Sequence, residues 1–144
     1  FRLGAGAAAF VLVGSYGQLA FAASSDEMDQ MIKDFTGGKT PEVGKVSLEA
    51  PEIAENGNTV PVGVSVESEM TADNYVQSVI ILASGNPRPG VATFHFSPLS
   101  GEATASTRMR LAKTQDVIAI AKMSDGSIYM DKKEVKVTIG GCGG

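Results

Sequence analysis

The chain has 144 residues, of which 43% are hydrophobic and 19% charged, which suits one globular domain and is too polar for a membrane protein. Its formal net charge of -4, with no basic cluster, argues against a nucleic-acid partner. A single Cys excludes an internal disulfide, and with a single His it leaves too few ligands for a structural zinc site, which wants about four.

The opening stretch LGAGAAAFVLVGSYGQLAFA, Leu3 to Ala22, is apolar and rich in small residues. It ends in Ala20-Phe21-Ala22, a small-x-small pattern that a signal peptidase cleaves. Its apolar centre, Ala5 to Val13, is too short to cross a bilayer, which takes about 20 residues. Residues 1–22 are therefore expected to be the remnant of an export signal, and the mature domain is expected in the periplasm, outside the membrane. The start at Phe1, without a basic segment before it, reads as a shortened signal. FRLGAGAAAF resembles the segment after the arginine pair of a twin-arginine signal, but the pair is absent, so the export route stays open.

Residues 23–38 are expected to form a short helix. Ser24 and Glu27 have capping-box spacing. Met28, Met31, Ile32 and Phe35 then fall on one helical stripe, expected to pack on the domain, and Gly37-Gly38 ends the helix.

From Val43 the period changes to two, and residues 39–139 read as strands. A first strand lies in GKVSLEAPEI, before a turn at Glu55-Asn56-Gly57-Asn58. TVPVGVSVE alternates strictly, with Val60, Val62, Val64 and Val66 on one face. NYVQSVIILAS is continuously apolar, as a central strand should be. Asn86-Pro87-Arg88-Pro89-Gly90 is turn chemistry. VATFHFS places Phe94 and Phe96 on one face and His95, the only histidine, on the other. EATASTRMRLA alternates through Ala103, Ala105, Thr107, Met109 and Leu111. DVIAIAKM and SIYM flank a turn at Ser124-Asp125-Gly126, and Lys132-Lys133-Glu134 reads as a further solvated turn. EVKVTI closes the set, with Val135, Val137 and Ile139 inward and Lys136 and Thr138 outward. Seven or eight evenly spaced strands with no helix among them predict an all-β fold: an antiparallel, immunoglobulin-like β-sandwich with one N-terminal helix.

The chain finishes in GGCGG, residues 140–144, expected to be a flexible arm. An extended residue spans about 3.3–3.6 Å, so Cys142 would reach roughly 10 Å past the last anchored residue. Gly140, Gly141, Gly143 and Gly144 carry no side chain to obstruct a narrow tunnel. A catalytic cysteine needs a base or a fixed oxyanion site beside it, and nothing local supplies one. A dyad with His95 would require the arm to fold back onto one strand. The residues alone leave three roles open for Cys142: a covalent carrier loaded and unloaded by other enzymes, an intermolecular disulfide tether, or an incidental thiol.

The GGCGG tail of an exported β-rich domain resembles the SoxY family, and so do NGNTVPVGVSVES, NPRPGVATFHFSPLSGEATASTRMRLAKTQDVIAIAKMSDG and VKVTIGGCGG. That resemblance implies a sulfur carrier of thiosulfate oxidation that is not itself an enzyme and needs no cofactor, haem or metal. Cys142 would be the covalent attachment site, with Gly140, Gly141, Gly143 and Gly144 as its arm. The implied partners are SoxZ, in a heterodimer; SoxXA, a cytochrome that joins thiosulfate oxidatively to the cysteine; SoxB, a manganese hydrolase that releases sulfate; and SoxCD, which oxidises the remaining sulfane where that dehydrogenase is present. Two other classes compete: a carrier whose C-terminal Gly-Gly becomes a thiocarboxylate, and an adhesion or structural sandwich that uses Cys142 only to form disulfides.

Overall fold

The computed structural model describes residues 25–142. The export signal, Ser24 of the expected cap, and Gly143 and Gly144 lie outside that range. The elements are α1 (Ser25–Thr36) and nine strands: β1 (Glu42–Val43), β2 (Val46–Glu49), β3 (Ile53–Asn56), β4 (Val60–Val66), β5 (Val76–Ala83), β6 (Gly90–His95), β7 (Ala103–Met109), β8 (Gln115–Met123) and β9 (Ile128–Ile139). A 3-10 turn at Pro98–Ser100 joins β6 to β7.

Two sheets face each other. One has the order β1-β9-β8-β5-β6 with β3 also on β9; the other is β2-β4-β7. The pairing is antiparallel except for β1 and β3, which both run parallel to β9. The expected β-sandwich is therefore present, with two short parallel additions to its antiparallel plan. The single strand expected around Val46 and Ile53 divides into β2 and β3, which belong to different sheets. Pro51, which has no N–H to give a ladder, stands between them.

Alternation decides which side chains fill the space between the sheets. Val60, Val62, Val64 and Val66 of β4 are buried there, opposite Val79, Ile81 and Ala83 of β5 and Val117, Ala119 and Ala121 of β8. The intervening residues Ile80, Leu82, Ile118 and Ile120 point the other way and meet Met28, Met31, Ile32 and Phe35 of α1. β5 and β8 are thus apolar throughout because both of their faces are covered, which is why their sequences do not alternate. Each fully buried Ile or Leu contributes about 1.5–3 kcal/mol of transfer free energy. The helix ends where Gly37 and Gly38 take positive φ and the Gly38 N–H reaches the Lys33 carbonyl at 3.1 Å, closing a Schellman-type cap.

The C-terminal third differs from expectation. Ile128-Tyr129-Met130 and EVKVTI belong to one 12-residue strand, β9, and Lys132-Lys133-Glu134 lies inside it as an exposed stretch paired with β8 rather than as a turn. The Asp131 carboxylate accepts the Leu48 N–H at 2.8 Å and ties this middle stretch to the other sheet. Val135 is fully buried as expected, but Ile139 is 66% exposed. By that point β8 has ended, and only β3 flanks the strand.

Candidate functional site

The long strand β9 carries the chain to one end of the sandwich, where three backbone segments meet. They are the turn after β3 (Gly57, Asn58), the connection from β7 to β8 (Leu111, Ala112), and the end of β9 with its glycines. Each donates one hydrogen bond around a ring. The Gly57 N–H donates to the Ile139 carbonyl (2.7 Å), the Leu111 N–H to the Gly57 carbonyl (2.8 Å), and the Gly141 N–H to the Leu111 carbonyl (2.8 Å). The Cys142 N–H then donates to Asn58 Oδ1 at 3.1 Å.

The glycines fit this ring because they lack a Cβ. A methyl on Gly140 would overlap the Ala112 carbonyl oxygen; one on Gly141 would lie 2.5 Å from the Gly57 oxygen and 3.2 Å from the Asn58 nitrogen. A methyl on Gly57 would overlap the Leu111 oxygen and lie 2.7 Å from the Gly141 nitrogen. All of these neighbours are backbone atoms, so no side chain can swing aside to make room.

Where an arm free from Gly140 onward is expected, Gly140 and Gly141 are docked in this structure, Gly141 is buried, and Cys142 is exposed with a free thiol. While docked, the thiol stands about one residue, ~3.5 Å, beyond its last fully anchored neighbour rather than roughly 10 Å.

Behind the ring lies a pair of buried amides. Asn86 Nδ2 donates to the Arg110 carbonyl (2.8 Å), and Asn86 Oδ1 accepts from the Ala112 N–H (3.0 Å) and from Gln115 Nε2 (2.9 Å). Gln115 Nε2 also reaches the Lys113 carbonyl at 2.9 Å. The Leu111 side chain is fully buried in the core. The segment that receives the arm is therefore held from both sides. Sequence reasoning gives Asn86 only a turn role and gives Gln115, Gly57 and Asn58 no part in the arm. The turn-like spelling Asn56-Gly57-Asn58 is visible in the sequence, but no period links position 57 to position 140.

His95 takes no part in this site. It is exposed on β6, opposite Ser78; Ser78 pairs with Lys122, and Lys122 with Ile128 at the far end of β9. From Ile128 to Ile139 the strand runs ~36 Å at about 3.3 Å per residue, so no Cys142–His95 dyad forms. Among the described residues there is also no cluster of His, Cys, Asp and Glu suited to a metal ion. An open groove of about 650 Å³, lined by Glu49, Pro61, Gly63, Ser106 and Arg108 among others, lies on the outer face of the three-stranded sheet and includes none of the arm residues.

Comparison with known proteins gives a consistent family. A family model described as sulfur oxidation protein SoxY matches residues 32–142. Among solved structures, the sulfur carrier protein SoxY from Chlorobium limicola f thiosulfatophilum superposes with a TM-score of 0.67 at 32% identity, covering 81% of this chain and 96% of that one. A superoxide reductase (neelaredoxin) from Ignicoccus hospitalis superposes with a TM-score of 0.59 at 20% identity, covering 80% of this chain and 89% of its own. A putative superoxide reductase from Thermotoga maritima gives 0.56 at 20% identity, covering 72% and 90%. At that identity the two reductases share the fold alone. No curated protein matches the sequence.

Proposed function

The chain belongs to the SoxY family of sulfur carriers, and from that premise we propose that it carries thiosulfate-derived intermediates covalently on Cys142. The observation that supports this most is the placement of its one thiol. Cys142 is exposed at the end of a sandwich, next to glycines whose only side-chain atoms are hydrogens, and far from the one histidine. A thiol so placed is presented to other proteins rather than equipped to act alone, and its activation falls to the enzyme that receives it.

In this reading a SoxXA-type cytochrome takes two electrons as the thiolate sulfur bonds to the sulfane sulfur of thiosulfate, giving a cysteine S-thiosulfonate. A SoxB-type hydrolase then adds water across the terminal sulfur–sulfur bond, releasing sulfate and leaving a persulfide on Cys142. Where a SoxCD-type dehydrogenase is present, the sulfane is oxidised and a second hydrolysis restores the thiol. The body pairs with a SoxZ-like subunit, the protein works in the periplasm, and the chain itself catalyses no step.

Replacing Cys142 tests the assignment. Cys142→Ser should abolish turnover in a reconstituted thiosulfate-oxidising system while leaving the unfolding midpoint unchanged. A carrier using a C-terminal thiocarboxylate would survive that change, and retained turnover would contradict the proposal.

A further inference from the structure

The docked glycines bear on how the thiol is delivered. We propose that the arm has two positions: a parked one, in which Gly140-Gly141 seats in the slot formed by Gly57-Asn58 and Leu111-Ala112, and an extended one reached only when that slot releases it. Asn58 is the positioning residue of the parked state. The inference rests on the carrier reading for its purpose, but its physical basis is separate.

Three observations converge on it. The slot is built from backbone, and Gly57, Gly140 and Gly141 are each at a point where a Cβ would collide with a main-chain atom on a different segment. A purely flexible tether would require glycine at 140 and 141 but not at 57. The arm also gives up two N–H groups to the body, from Gly141 to Leu111 and from Cys142 to Asn58. Finally, the receiving segment is braced by the buried Asn86 and Gln115 amides, so the slot is fixed even if the arm leaves it.

The parked state is weak enough to open. Only two arm donors hold it, and each net hydrogen bond is worth about fivefold in an equilibrium constant. Parking keeps the thiol close to the body, whereas a tunnel needs the full arm, so parking competes with insertion into a partner enzyme. Loosening the slot should therefore speed loading rather than slow it.

The test is amide hydrogen exchange, followed by NMR on the full chain, together with the initial rate at which a SoxXA-type cytochrome loads thiosulfate. In the wild type the Gly141 amide should exchange about 25-fold more slowly than in an unstructured peptide, two net hydrogen bonds' worth. Asn58→Ala should raise Gly141 exchange about fivefold and raise the loading rate by a similar factor, while amides of β4 and β8 keep their protection. Gly57→Ala should remove the Gly141 protection; Asn58→Ala, a change in an exposed side chain, serves if that variant folds poorly. Unprotected Gly141 in the wild type would overturn the parked state. Protection unaffected by Asn58→Ala would overturn the assignment of Asn58, and lost protection with an unchanged loading rate would overturn the competition. Absence of any adduct on Cys142 in all variants would instead refute the carrier reading and leave the exchange result standing.

Discussion

In the body, Val60, Val62, Val64 and Val66 hold β4 in place by filling the space between two sheets; at the root of the arm, Gly140, Gly141 and Gly57 hold their segments together by leaving no space to fill. The first region is stabilised by apolar area removed from water, the second by backbone hydrogen bonds made possible by close approach. The two respond differently to change. A core of this kind yields gradually as methylenes are removed. A backbone-to-backbone fit fails with the first added carbon, yet its failure need not unfold anything, because the arm can leave the slot while the sandwich stays intact. A carrier benefits from that division: the part that must move is held separately from the part that must not.

Leu111 belongs to both regions, since its side chain is fully buried and its backbone receives the arm. Leu111→Ala should give the largest loss, about 2–5 kcal/mol in chemical denaturation, and should weaken the parked arm as well. Asn86→Ala should come next, at about 1–3 kcal/mol, because it leaves the Ala112 N–H and the Arg110 carbonyl without their buried partner. Gly141→Ala should separate the two regions. It should cost the sandwich less than about 1 kcal/mol, as changes outside a core usually do, while abolishing docking seen as fast exchange at the arm root. A loss as large as that of Leu111→Ala would mean that the arm root is part of the folding core.

The smallest effect lies at the opposite end of β9. The Asp125 carboxyl is held below its ordinary value, first by the Ser127 backbone N–H at 2.8 Å and then by the Ser127 side chain. A depressed carboxyl favours the folded state above its unfolded value of about 3.9, and that benefit disappears as pH falls through the lower folded value. Since the group is fully exposed, the difference between wild type and Asp125→Asn should be slight near neutral pH and should vanish in acid, read from unfolding midpoints across the range.

Much of the fold is legible because burial imposes periodicity. The valines of β4 alternate because one face alone is covered; the apolar runs of β5 and β8 mark strands covered on both faces, and the stripe Met28, Met31, Ile32, Phe35 marks the helix that covers one of them. The turn expected at Lys132-Lys133-Glu134 is wrong because three charged residues on an exposed stretch of a long strand look like a loop when their strand partner is not visible. The inward placement of Ile139 fails for a related reason: alternation continues after its covering neighbour has ended. At the site, Cys142 and its glycines stand out by composition. The slot does not, because it is made of main-chain atoms from three distant segments, and contacts between backbones leave little trace in side-chain pattern.

The most direct test of the central claim is intact-mass spectrometry of the protein isolated from thiosulfate-fed cells, before and after reductant. The account predicts reductant-labile sulfur or thiosulfonate adducts that map to Cys142. A bare thiol, or only a dimer linked through Cys142, under conditions that support thiosulfate oxidation would contradict it and favour a structural sandwich joined by disulfides.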